Sequence, residues 1–538
     1  MIFFPIRQLR RIRRPLLAVF VFWGVFCFQC FPTVFFSLCH ATGTEITRAG
    51  DNSTEVVGID PDSSLAETKD NASEITQEAK DATDSEDSAE ETQEGGALQF
   101  TYNGFIEWES IFSTDTDQDF SDANKKNELR NRLEINYGTE SRYLFSVTNL
   151  YLTPTFFNND IGETYRYADE TRMERNLRMS GSHYEIDFRE LYLNLSSEKT
   201  RFRLGNQIYA WGTADVFNPT SYFNTLDYRE FIFRDDDEDK SSVPSLSAML
   251  FMDDYTLETV FMPVHVPMLL APSGNFWYLN IQENLYTAEF LKTNGMQVEM
   301  ENVGIGTRLS SSYRGADFSL SAFHGPDRDA IFTPVGVSMT PNQTLSLQLD
   351  PQYFVVNMLG ADFSATINDF VIQFELAYSP DKHNLVEQNM NQLQQITFPF
   401  ESRKSQYFAY AVGFNYFIPL TRLIESHEGE TVFTFEWYQS KFFEEDVYQA
   451  YLTDIISCKL EDTYYQGHIP VSIKTLFDTR SNSSVFWPKV GYDFQNGWLI
   501  ELSYAAIDGK KDNQGLLEPM FYYFRDNDIL MGSIRYDY

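Results

Sequence analysis

Seven histidines, four cysteines and a few runs of carboxylates are the residues of this 538-residue chain whose types could do chemistry. Hydrolysis by a nucleophile needs a histidine held by a partner, beside a serine or an activated water. His40, His183, His265, His324, His383, His427 and His468 are scattered, and none stands in a His-x-Ser arrangement. "HGPD" (324–327) reads as a strand-ending turn, and whether Asp235–Asp239 meet His265 in space is open. Asp115, Asp117 and Asp119 alternate as calcium-loop carboxylates do, but the glycine and closing glutamate of such a loop are missing. The stretch "RLGNQIYAWGTADVFNPTSYFN" (203–224) holds two glycines, yet neither a helix nor a lysine follows to cradle a phosphate. It also lacks a nucleophile at its bend. The sequence therefore predicts no catalytic residue, no cofactor site and no metal site. No basic, aromatic-interleaved segment points to nucleic acid.

The elements that carry these residues alternate with period 2. In "DFVIQFELAY", Phe370, Ile372, Phe374, Leu376 and Tyr378 share one face, with Val371, Gln373, Glu375 and Ala377 on the other. Phe408, Tyr410, Val412, Phe414 and Tyr416 oppose Ala409, Ala411, Gly413 and Asn415; Trp498, Ile500, Leu502 and Tyr504 oppose Leu499, Glu501 and Ser503. Phe435 and Trp437 flank Glu436, and "GADFSLSAF" repeats the pattern. A soluble sandwich has the same period, but small residues on the second face are poor core material. Aromatics reach 16% while mean hydropathy is only -0.35, as expected where each strand alternates a lipid-facing ring with a water-facing polar group. An open sheet edge is not tolerated in lipid, so the expected fold is an all-β, transmembrane, antiparallel up-and-down β-barrel. Roughly 16 to 18 alternating segments run from Phe100 to Tyr538. Short connections ("GTES", "SSEK", "RG", "QNG") would face the periplasm and long ones the exterior. The last strand places Ile534, Tyr536 and Tyr538 on one face, an alternating terminal-aromatic pattern of the kind the barrel assembly machinery reads.

The N-terminal region differs. Five arginines (Arg7, Arg10, Arg11, Arg13, Arg14) precede an apolar run from Leu16 to about Leu38, then Ala41 and Gly43, the order of a secretory signal peptide over 1–43. A membrane anchor is the alternative, since the run is long enough to span. Cleavage would leave Cys458 alone, so no intramolecular disulfide could form. Residues 44–97 hold 16 acids against three bases and no aromatic ring, an acidic disordered linker that cannot offset its ordering entropy. The barrel then spans 98–538. With leader and linker removed, the net charge of -37 becomes about -29 for the barrel. The chain is thus expected in the cell outer membrane, in contact with bilayer and lipopolysaccharide, with acidic exterior loops (115–119, 235–239) able to hold divalent cations.

In "TRFRLGNQIYAWG", Phe202, Leu204, Ile208 and Ala210 form an apolar face and Arg201, Arg203, Gln207 and Tyr209 a polar one. Trp211 is expected in the aromatic interface girdle, with Gly212 ending the strand before a long exterior loop. Arg203-x-Gly205-x-Gln207-x-x-x-Trp211-Gly212, then Asn218-Pro219 and "LDYREF" (226–231), resembles the signature of an uncharacterised family of Gram-negative porin-like outer-membrane proteins. "MLGADFSATINDFVIQFELAYS" and "NDILMGSIRYDY" resemble it too. The resemblance covers most of 98–538, excludes the acidic segment, and implies location and architecture rather than cargo.

A channel for small solutes is the first functional expectation, with cations or neutral solutes preferred. By alternation its lining would include Arg130, Arg132, Glu134, Arg201, Arg203, Gln207, Glu375, Glu436, Glu501, Arg535 and Asp537. An importer of hydrophobic compounds is the alternative, using the apolar stretch 261–281 as a landing site. A barrel phospholipase or protease is the third, and the histidine pattern speaks against it.

Overall fold

The computed structural model describes residues 97–538 except 115–119, 155–176, 182, 235–237, 272–274, 283–285, 292–301, 340–344, 387–396, 421–426, 428, 445–446, 448–453 and 512–517. The leader and acidic segment over 1–96, the Asp115–Asp119 run and Asp235–Asp237 lie outside the described residues. Eighteen antiparallel strands form a closed barrel. In chain order they are β1 (Gln99–Ser113), β2 (Asn124–Thr139), β3 (Arg142–Leu152), β4 (Tyr184–Ser196), β5 (Thr200–Gln207) and β6 (Val243–Met252). β7 (Tyr255–Met262), β8 (Gly304–Tyr313), β9 (Ala316–Pro326), β10 (Val355–Ile367), β11 (Phe370–Leu385) and β12 (Ser402–Ile418) continue the wall. β13 (Thr431–Phe442), β14 (Asp454–Tyr464), β15 (Ile469–Asp478), β16 (Ser483–Asp493), β17 (Trp498–Asp508) and β18 (Ile529–Asp537) complete it. Each strand pairs with its sequence neighbour, and β1 pairs with β18 from Phe105↔Asp537 to Ser113↔Ile529. Closure leaves no unpaired edge, as a hydrocarbon environment demands.

The polarity of a soluble protein is inverted. Large apolar side chains face outward, with Phe202 46%, Leu204 61% and Leu320 65% exposed, while Glu375 and Asn415 inside are fully buried. That arrangement is stable only where the outer surface meets lipid. Short turns cluster at one rim; Arg314 and Gly315 both take positive φ (52° and 78°), the geometry of a tight type I′ hairpin. Two connections depart from the short/long alternation. Residues 419–430 are long at the short-turn rim, and 479–482 are short at the other. Asp478 explains the second, accepting from the backbone N–H of Arg480 (2.9 Å) and from the Ser481 hydroxyl (2.6 Å).

At the long-loop rim, Ile331–Met339, Leu345–Gln352, Tyr286–Phe290 and Ile281–Gln282 form a separate four-stranded sheet. The segment 208–242, between β5 and β6, folds into the lumen instead. The small lumenal residues Ala377, Ala409 and Ala411, all buried, lie on the wall where this segment docks. They leave room for a loop.

Candidate functional site

The inward loop begins three residues before the tryptophan. β5 ends at Gln207, whose side chain is spent on the wall: Nε2 donates to Ser245 O (3.1 Å) and Oε1 accepts from Ser247 (3.1 Å). The backbone N–H of Ile208 donates to Glu190 (3.2 Å) and that of Tyr209 to Asn224 Oδ1 (2.8 Å), which turns the chain inward. Trp211 is therefore not in the outer girdle. It is 2% exposed inside the barrel, its indole N–H donating to Glu258 (2.8 Å) and its ring edge-on to Phe223 at 4.8 Å. An indole donor removed from water needs an acceptor, and the lumenal wall supplies one where lipid could not. Ile208 and Ala210 likewise lie beyond the strand.

The motif residues then build a tight bend. Gly212 adopts φ +102°, and a Cβ there would collide with the side chains of Glu375 and Asn218. Asn218 Nδ2 donates back to Trp211 O at 2.7 Å, and Pro219, buried, holds the residue before it extended. The bend aims backbone N–H groups at the far wall. Those of Thr213 and Ala214 (2.5 Å) donate to Glu375 Oε1, and Thr220 donates to Oε2 from its N–H (3.2 Å) and hydroxyl (2.9 Å). Glu436 accepts from the N–H groups of Asp215 (2.8 Å), Val216 (3.1 Å) and Phe217 (2.7 Å), while Asn415 donates to Asp215 at 3.1 Å. β13 is eight strands from β5 one way round and ten the other, so the loop crosses the lumen. Two carboxylates hold it there by hydrogen bonds to consecutive amides, an anion cradle filled from within the chain.

Beyond the crossing, the loop settles on β1–β4 through buried ions. Arg229 is bidentate to Glu185 (2.7 and 3.1 Å) and paired with Asp227 (2.7 Å); Arg178 and Arg234 also reach Asp227 (3.6 and 3.2 Å). Burial opposes the charge on Asp227, but Arg229 and Arg234 outweigh it and hold the carboxyl well below the usual range. Lys126 meets Glu109 (2.6 Å), Glu128 (3.3 Å) and Glu230 (3.0 Å). Arg130 pairs with Glu107 (2.8 Å) and Glu238, and Arg132 with Glu238 (3.5 Å). Burial disfavours the Glu238 carboxylate, yet Arg130, Arg189 and Arg132 bring its carboxyl down to about 2.

Of the residues expected along the lumen, Arg130 and Glu501 line one cleft between the loop and the wall, together with Glu107, Glu230, Glu238 and Trp487. Arg203 is elsewhere, donating to Asn194 (3.3 Å) and lying over Tyr192 (5.1 Å), and Arg201 lies over Phe251 (5.5 Å). Arg535 pairs with Asp537 (2.6 Å) near the short-turn rim and covers Phe105. Glu134 shares their inward face, opposite Asn103 and Val147. Glu375 and Glu436 are covered by the loop. Tyr536 packs against Trp498 with the rings tilted (centroids 4.9 Å apart), and the Tyr538 N–H donates to Gly104 O (2.9 Å) at the seam.

Sequence reasoning missed Glu185, Glu258 and the Lys126 cluster; their only signal was a polar position on an alternating strand. Among its described residues the stretch 261–281 is mostly buried, with Met262, Val266, Leu269, Trp277 and Ile281 inside. His265 is 1% exposed against Tyr353, and burial lowers it to about 4. His427 Nε2 is 3.3 Å from Thr431 Oγ1, but that hydroxyl donates to Asp462 at 2.9 Å, so the trio fastens the 419–430 connection rather than activating an oxygen.

The barrel is similar in fold to solved outer-membrane proteins. Salmonella typhi OmpF in complex with daunomycin aligns with TM-score 0.39 and 9% identity over 84% of this chain and 100% of that one. Acinetobacter baumannii OccAB2 gives 0.43 and 11% over 82% and 98%, and the Vibrio cholerae outer-membrane protein OmpT in trimer form 0.38 and 10% over 82% and 100%. No curated protein matches the sequence. The model of the family described as "Protein of unknown function (DUF1302)" matches residues 96–466, a span holding the Trp-Gly bend, Asn218-Pro219 and both loop-anchoring glutamates, and the chain belongs to that family.

Proposed function

We propose that the protein is an outer-membrane, porin-like channel whose lumen is narrowed by the 208–242 loop and which passes small cations or neutral polar solutes. The observation that carries this is the loop's anchorage across the lumen on Glu375 and Glu436. A fixed crossing divides the lumen and confines solutes to clefts such as the one lined by Glu107, Glu238 and Glu501. Six carboxylates against four cationic side chains line that cleft, which favours cations over anions. In this reading the short turns face the periplasm, the exterior loops other than the inward 208–242 segment, whose Glu238 is taken by Arg130, meet lipopolysaccharide and bind divalent cations, and Tyr536 and Tyr538 engage the assembly machinery. The burial of 261–281 gives no support to an apolar landing site.

The test is single-channel current of the purified full chain in a planar bilayer, with reversal potential in a salt gradient. Stable open steps with a cation-selective potential are expected. Silence from a folded barrel, or anion selectivity, overturns the reading.

A further inference from the structure

The cleft beside the inward loop contains chemistry that passage of small ions does not require. One side is aromatic: Trp487 on β16 and Phe233 on the loop meet edge to face at 5.1 Å, and Phe233 continues into a buried ring cluster with Trp277 (5.1 Å). Glu107, Glu238 and Glu501 line the same space. Lys489 shows what such a combination holds. Its ammonium is 5.9 Å from the Trp487 ring centroid and 3.9 Å from Glu501, so one alkylammonium is shared between a ring face and a carboxylate. The contact to Glu501 is at the long end of an ion pair.

We propose that this cleft is a binding site for an organic cation with a flat apolar body, an arylalkyl ammonium, whose ring lies against Trp487 and Phe233 and whose ammonium sits at Glu501. The proposal deepens the channel reading and rests on it, naming a solute class for the same lumen. Lys489 occupies part of the seat, so its removal favours the ligand, while loss of the carboxylate or the ring disfavours it. A simple anion or a bare divalent metal would use neither ring.

The experiment is calorimetric titration of the folded full chain in detergent with phenethylammonium, and with phenylpropionate as a body of similar shape and opposite charge. Saturable binding of the cation only is expected, weakened about tenfold or more by Glu501→Gln and by Trp487→Leu, kept by Trp487→Phe, and strengthened several-fold by Lys489→Met. Equal affinity for phenylpropionate overturns the proposal, as does binding unchanged in Glu501→Gln and Trp487→Leu. Magnesium that binds in the absence of phenethylammonium and competes with it fully would also overturn it, making the cleft a divalent-cation site. Titration needs no conduction. A barrel that binds phenethylammonium but passes no current refutes the channel and keeps the site; one that conducts without binding refutes the site alone.

Discussion

Glu375 and Glu436 do their work by accepting hydrogen bonds. Each collects at least three donors from the crossing segment of the loop. A carboxylate-to-amide bond contributes about 1.5–3 kcal/mol, so the two side chains dominate the loop's attachment to the far wall. Glutamine at either position keeps the volume, loses the charge and turns one acceptor into a donor facing N–H groups. The expected outcome for Glu375→Gln with Glu436→Gln is larger and noisier single-channel current, with barrel formation on a heat-modifiability gel unchanged. Unaltered current would mean the loop is held by its ion pairs alone. Alternation was enough to put these glutamates inside the barrel. It could not show that they are covered, because the amides they accept from lie 155 to 221 positions earlier in the chain.

The strands were legible because their period is local: an outward ring, an inward small or polar residue, then a two-residue turn such as Arg314-Gly315. The loop was not. Its entry was misjudged at Trp211 because a tryptophan after an alternating run fits a girdle equally well, and only Glu258 on another strand decides the matter. Acid should act on the loops in two steps. His265 is neutral when folded, so the unfolded chain takes up more protons between its ordinary value near 6.5 and about 4, and stability falls across that window. Glu238 is depressed, so its contribution is intact above about 4.5 and is lost as pH falls toward 2. Hydrogen exchange followed from pH 7 to 3 is expected to find residues around His265 opening first, with 227–238 protected to lower pH. Simultaneous opening of both segments near pH 6 would contradict this order.

The barrel wall turns polar and charged side chains inward and large apolar ones outward, and this inversion is what lipid stabilises. Leu320, 65% exposed on the outer face, is a direct probe. Leu320→Arg is expected to cost about 2–4 kcal/mol if the position lies near mid-bilayer, read as a lower denaturant midpoint in vesicles; no change would mean the face does not contact acyl chains. Barrel and strand count were legible at this scale because closure follows from the solvent rather than from any residue. The crossing loop also fixes an order of events. It joins adjacent strands β5 and β6, yet its fastenings across the lumen belong to β11 and β13, which are synthesised later, and the enclosure is sealed only when β18 meets β1. The loop emerges at an open rim, so its docking needs β11 and β13 in place rather than an open seam. Docking therefore waits on strands laid down long after the loop itself, and contacts so far apart along the chain are the slow ones to form.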